Sequence, residues 1–187
     1  MLKKYSYLKT GTIALVACAA VALFPAGASA GCGGGGLTAA ETDICTPTPK
    51  ARLLTSGMLV PPKSAPPRVK RVIAAANKIR NKPYIYGGGH RRWIDRGYDC
   101  SGAVSFALKG GNFIDSPTPS GPLASWGTRG EGHWISVYAN AGHTYAVIAG
   151  YRWDTSGNGD GSTGPSWHRD LRSKGSGSFV ARHPAGY

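Results

Sequence analysis

Acidic residues are scarce in this chain. Its 187 residues include 22 Lys and Arg but only nine Asp and Glu, a formal net charge of +13. Charged residues of both signs amount to 17% against 41% hydrophobic, enough apolar material for a packed core and too much for a chain disordered throughout. The length allows one domain with a tail. No apolar run approaches the ~20 residues of a spanning helix. The run from Thr12 to Phe24 is 13 residues long. There is no G-X-Y period and no internal repeat, which excludes collagen and solenoids. Neither Cys-x-x-Cys nor His-x-x-x-His occurs, so no metal site is expected. Asp154, Asp160 and the glycines between them lack the alternating acids and final Glu of a calcium loop. Zinc-finger spacing and a basic helix are also missing, and no nucleic-acid partner is expected. What is plentiful is Gly, 28 residues, and Pro, 13, which exclude a long coiled coil or helical bundle.

Lys3, Lys4 and Lys9 precede the apolar run, and Ala28-Ser29-Ala30 follows it. A positive start, a short apolar middle and small residues at the end make residues 1–30 a secretory signal peptide. Removing three lysines and no acid would take the charge from +13 to +10. Leu15-Val16-Ala17-Cys18 and Ser29-Ala30-Gly31-Cys32 resemble lipoprotein processing sites, so lipid anchoring is a second route. Either route gives a secreted or wall-associated protein with no membrane span after processing. Its basic surface suits anionic cell-wall polymers. Three cysteines remain after export. Cys32 and Cys45 lie close enough to pair, which leaves Cys100 as the odd thiol and a candidate nucleophile.

Residues 31–66, rich in Gly, Thr and Pro, read as an arm or linker. From Pro67 the pattern turns helical. Val69, Val72, Ile73, Ala76 and Ile79 define one face, and Pro83 ends the helix. A second, short apolar helix begins at Cys100 and stops at Gly110-Gly111. Residues 116–132 read as a long loop. The period then becomes two, which predicts strands over 134–138, 143–149, 151–154 and 178–182. Helices first and an antiparallel meander second define an α+β fold, with N-terminal helices packed on an antiparallel sheet.

A cysteine at a helix start is favoured as a thiolate by the positive end of the dipole. It also needs a base within reach, and the base needs an orienting group. His143 opens a strand, and Asp154 lies eleven residues on, in the next one. Adjacent antiparallel strands bring such positions together. His133 competes for the role of base; His90, His168 and His183 sit in loops or near the end and rank lower.

Pro83-Tyr84-Ile85-Tyr86-Gly87-Gly88, then Asp99-Cys100-Ser101-Gly102, then Gly142-His143-Thr144-Tyr145 together resemble the NlpC-type (NlpC/p-sixty) cell-wall peptidases. The likeness covers roughly residues 67–187. It implies a papain-like fold and hydrolysis of peptidoglycan stem peptides, usually at the D-γ-glutamyl–diamino acid bond. It implies Cys100 as nucleophile, His143 as base and Asp154 as the orienting residue; Asp is less usual than His in this third place, which leaves room for Thr155 or a water to share the role. Tyr84, Asp99 and Ser101 match positions that in some members contact the amino end of the stem. No cofactor is implied, and a monomer is expected. The basic stretch His90 to Asp99, with Arg91, Arg92 and Arg96, departs from the pattern. Two other outcomes stay open: an amidase or acyltransferase using the same Cys and His, and a non-catalytic wall-binding module.

Overall fold

The computed structural model describes residues 49–157, 163–172 and 178–187. The expected signal peptide, the Cys32 and Cys45 pair, the arm up to residue 48 and Asp160 lie outside the described residues.

Helix α1 (Pro67–Ile79) starts on a proline, whose fixed φ and missing N–H suit the first helical position. It buries Val69, Val72, Ile73, Ala76 and Ile79, the face expected from the spacing. Helix α2 (Cys100–Gly110) buries nearly every side chain. It is capped by Asp99, whose carboxylate accepts the Gly102 N–H at 2.7 Å. Gly110 does more than end this helix. A Cβ there would stand 2.4 Å from that of Ala75, so glycine permits the close crossing of α1 and α2. The stretch expected as a loop holds one helical turn, α3 (Ser120–Leu123), anchored by the fully buried Leu123.

Six of the strands among the described residues form one antiparallel sheet in the order β3-β8-β4-β5-β6-β7. Four match the expected strands: β4 (Ile135–Ala139), β5 (Thr144–Ile148), β6 (Tyr151–Asp154) and β8 (Val180–His183). The other two, β3 (Thr128–Arg129) and β7 (Ser166–His168), are edge strands too short to show a period. The turn from β5 to β6 runs through Ala149 and Gly150, both with positive φ (46° and 81°). Two such residues match the twist of a two-residue hairpin. The register Ala146↔Trp153 then puts Asp154 beside Tyr145, on the same face as His143. The chain is thus α+β, with α2 laid on the sheet. Trp153, wholly buried, donates from Nε1 to the Ala103 carbonyl at 3.1 Å and fixes the start of α2 to β6.

Residues 51–66, read from composition as part of the arm, are packed against this body. Strands β1 (Arg52–Leu53) and β2 (Leu59–Val60) form a small hairpin. Ala51, Leu59 and Ala65 enter the core. The prolines hid a short apolar pattern that a neighbouring helix can bury. Asn77 of α1 is the joint. Its Nδ2 donates to the Leu59 carbonyl (2.9 Å), and its Oδ1 accepts from Leu59 N–H (3.0 Å) and Trp167 Nε1 (2.9 Å). No helix among the described residues is long and apolar enough to cross a membrane.

Asn77→Ala would leave two backbone groups and an indole N–H without these partners. A loss of about 2–4 kcal/mol is expected from unsatisfied groups of this kind, read as a lower denaturant midpoint at unchanged m-value.

Candidate active site

The site forms where the start of α2 meets the ends of β5 and β6. Its loops are set by glycines. Residues 83–88 run beside 97–99, joined by Tyr98 N–H to the Pro83 carbonyl (3.1 Å), Ile85 N–H to the Tyr98 carbonyl (3.3 Å) and Asp99 N–H to the Gly88 carbonyl (3.2 Å). A Cβ on Gly88 would lie 2.4 Å from the Gly97 carbonyl oxygen. One on Gly102 would lie 2.1 Å from that of Gly88. The Tyr-Gly-Gly and Asp-Cys-Ser-Gly segments are therefore two halves of one crossing that tolerates no side chain.

Cys100 is the first residue of α2 and a buried, free thiol. Burial pushes its pKa up, but three effects outweigh this and bring it below the ordinary thiol value. They are a hydrogen bond from His143, one from the Thr144 backbone N–H, and the charge of His143. His143 Nε2 lies 3.0 Å from Asp154 Oδ1, which leaves Nδ1 as the ring nitrogen for the thiol. Burial lowers the His143 pKa, yet hydrogen bonds to Asp154 and Cys100, with their charges, raise it to about 9. Asp154, whose side chain is fully buried, would be raised by burial. His143, Arg172 and Arg152 instead hold it at about 2. Together these shifts favour a thiolate–imidazolium pair backed by a carboxylate.

The structure thus brings Cys100, His143 and Asp154 together. Thr155 serves the third residue and not the base, donating its N–H to Asp154 Oδ1 at 2.7 Å. Two arginines were not singled out from the sequence. Arg152, 2% exposed, bonds Asp154 Oδ2 through Nη1, and Arg172 Nε reaches the same oxygen at 3.0 Å. Arg152 carried a readable signal, since it and Asp154 stand two apart on one strand and share a face. Arg172 is distant in sequence and carried none.

On the other side of Cys100, Tyr84 is 38% exposed. Its phenol pKa is raised first by burial and then by the charges of Cys100, Asp99 and Tyr86. Asp99 and Ser101 are buried. His90, ranked low from its loop position, belongs to this cluster. Its Nε2 is 3.0 Å from Asp99 Oδ1 and 3.1 Å from Ser101 Oγ. Of the remaining histidines, His133 packs edge-on against Trp134 and His183 Nδ1 lies 3.1 Å from the Gly130 carbonyl. His168 pairs with Arg152 across β6 and β7 and meets Ser166 Oγ at 3.0 Å. His168 and His183 are strand residues, in β7 and β8, and not loop residues.

Comparison with known proteins adds two solved structures. The chain is similar to a hypothetical invasion protein of Mycobacterium tuberculosis, at 22% identity and a TM-score of 0.46 over 62% of this chain and 61% of that one. It is also similar to a histidine mutant of RipA, a resuscitation promoting factor interacting protein, at 22% identity and a TM-score of 0.46 over 62% of each chain. The chain thus spans about three-fifths of the length of each. No protein-family model and no curated protein matches it.

The ion pair predicts a pH window for thiol reactivity. As pH rises, the thiolate forms below the ordinary thiol value, and the imidazolium beside it loses its proton near 9. Alkylation rate against pH should rise early for the parent, and His143→Ala should move that rise upward. A parent curve centred on the ordinary thiol value would contradict the pairing.

Proposed function

We propose that this protein is an exported cysteine endopeptidase that hydrolyses amide bonds in peptidoglycan stem peptides, at the D-γ-glutamyl–diamino acid bond. The observation that carries the reading is His143, held between the Cys100 thiol and Asp154 at the start of a buried helix. Nucleophilic catalysis needs this order of nucleophile, base and orienter. The choice of substrate rests on the resemblance of the Tyr-Gly-Gly, Asp-Cys-Ser-Gly and strand-opening His segments to NlpC-type peptidases, with the papain-like fold they imply.

In this reading the Cys100 thiolate attacks the carbonyl carbon and the C=O electron pair moves to oxygen. The Cys100 backbone N–H, at the positive end of α2, helps hold that oxyanion. The tetrahedral intermediate collapses as the His143 imidazolium gives its proton to the departing amine, leaving a thioester. Neutral His143 then takes a proton from water, whose oxygen attacks the thioester. The acid product leaves, and the thiolate–imidazolium pair returns. Asp154 keeps the ring oriented and its charge balanced throughout. Tyr84, Asp99 and Ser101 line the acyl side of the cleft.

Residues 1–30 are removed on export in this reading, residues 67–187 carry the peptidase, and of residues 31–66 between them, 51–66 pack against that body. The excess of basic residues holds the protein near anionic wall polymers. It acts in or outside the wall as a monomer, without a cofactor.

Cys100→Ala should lower hydrolysis of purified sacculi at least about a thousandfold. Soluble products are read by mass spectrometry. Equal digestion by parent and variant would sink the mechanism. Binding of both proteins to sacculi with no digestion by either would favour a non-catalytic wall-binding module.

A further inference from the structure

Asp99 sits beside the nucleophile, where a carboxylate is suited to an ammonium group. Its oxygens are already engaged. Oδ1 accepts from Gly102 N–H (2.7 Å), from Ser101 Oγ (3.1 Å) and faces His90 Nε2 (3.0 Å); Oδ2 accepts from Gly87 N–H (3.0 Å). Three of these contacts crowd Oδ1 and one meets Oδ2, so the oxygen that faces Ser101 and His90 is already occupied by the chain. Because a carboxylate oxygen accepts, His90 Nε2 carries the proton. The same N–H also lies 3.1 Å from Ser101 Oγ, whose own proton points at Asp99. His90 therefore donates at the place where the two oxygens converge, which is the place an ammonium would need. Its side chain is 23% exposed, so it is part of the cleft wall and not a buried strut.

The loop that carries His90 is positively charged. Arg91, Arg92 and Arg96 follow His90 in the chain and are exposed. Asp95, the acid of that loop, pairs with Arg92 at 3.5 Å and accepts from Gly89 N–H at 3.2 Å. A rim of this charge repels an incoming ammonium and leaves an acylated, uncharged end unaffected.

We propose that His90 is a specificity residue. By donating to both Asp99 and Ser101 it closes this position to a free ammonium, and directs the protein to stem peptides whose amino end is acylated, as it is while the stem is attached to the glycan. This inference rests on the hydrolase reading above and deepens it. It places the protein before the step that frees stems from the glycan, acting on the intact wall and not on released peptides.

The test compares two stems of one sequence, one with a free amino end and one N-acetylated, by kcat/KM with purified parent, His90→Ala and His90→Asn. The parent should prefer the acetylated stem by about tenfold or more, the scale of one charge-assisted hydrogen bond. His90→Ala should shift the ratio toward the free amine by a similar factor. His90→Asn keeps a donor on a shorter side chain and provides a folded comparison if the alanine variant fails to fold. A purely structural role for His90 would lower both rates and leave the ratio unmoved. A parent that cuts the free-amine stem equally well or better would overturn the inference and leave the hydrolase reading standing, as would a ratio that neither variant changes. A parent that cuts neither stem nor sacculi would overturn the hydrolase reading, and this inference with it.

Discussion

A carboxylate with no solvent exposure must be kept charged for this site to exist, and Asp154 is that carboxylate. An isolated charge in such a place would take up a proton. Asp154 escapes this because donors converge on it: the His143 ring, the Thr155 and Ser156 N–H groups, the Ser156 hydroxyl and the guanidinium groups of Arg152 and Arg172. The excess of positive partners has a second effect. They share the carboxylate, so His143 is not its sole counter-ion, and Arg152 is in turn tied to Asp170 at 2.9 Å. A buried pair of this kind is costly when one member is removed. Strand β6 supplies both needs through its period of two. Arg152 and Asp154 face the site, while Trp153 faces the core and holds α2 at the Ala103 carbonyl. One four-residue strand holds the His143 ring and fixes the start of the helix that carries Cys100.

The second constraint is steric. Cys100 stands at the start of α2 only because the chain crosses itself there without side chains, at Gly88, Gly97 and Gly102. The same crossing brings Tyr84, His90 and Asp99 to one side of the thiol. His143 bonds Cys100 and Asp154 on the sheet side, while His90, Ser101, Gly87 and Gly102 bond Asp99 on the loop side.

Much of this was legible in the sequence, for physical reasons. The spacing of Val69, Val72, Ile73, Ala76 and Ile79 is that of a helix face, and those residues are the ones α1 buries. The switch to alternating residues after 134 marks the meander, and the short turn at Ala149-Gly150 fixes which residues of β5 and β6 meet. That is why His143 and Asp154 could be paired from their spacing alone. Cys100 at the start of α2 was readable from Asp99 before it and the apolar run after it.

What escaped the sequence depends on contacts between distant or irregular segments. His90 sits in a loop with no period, and only the glycine crossing shows that it meets Asp99 and Ser101. Arg172 is 18 residues from the carboxylate it binds. The hairpin at 52–60 was masked by neighbouring prolines, and its place was set by Asn77, one of several polar residues between the apolar positions of α1. The most direct test of the account is a reversible block of Cys100. The protein is methylthiolated, the modified peptide is identified by mass spectrometry, and digestion of sacculi is followed before and after reduction. The account predicts that digestion stops while Cys100 carries the cap and returns when the cap is reduced away. Digestion that continues with Cys100 fully capped would contradict it.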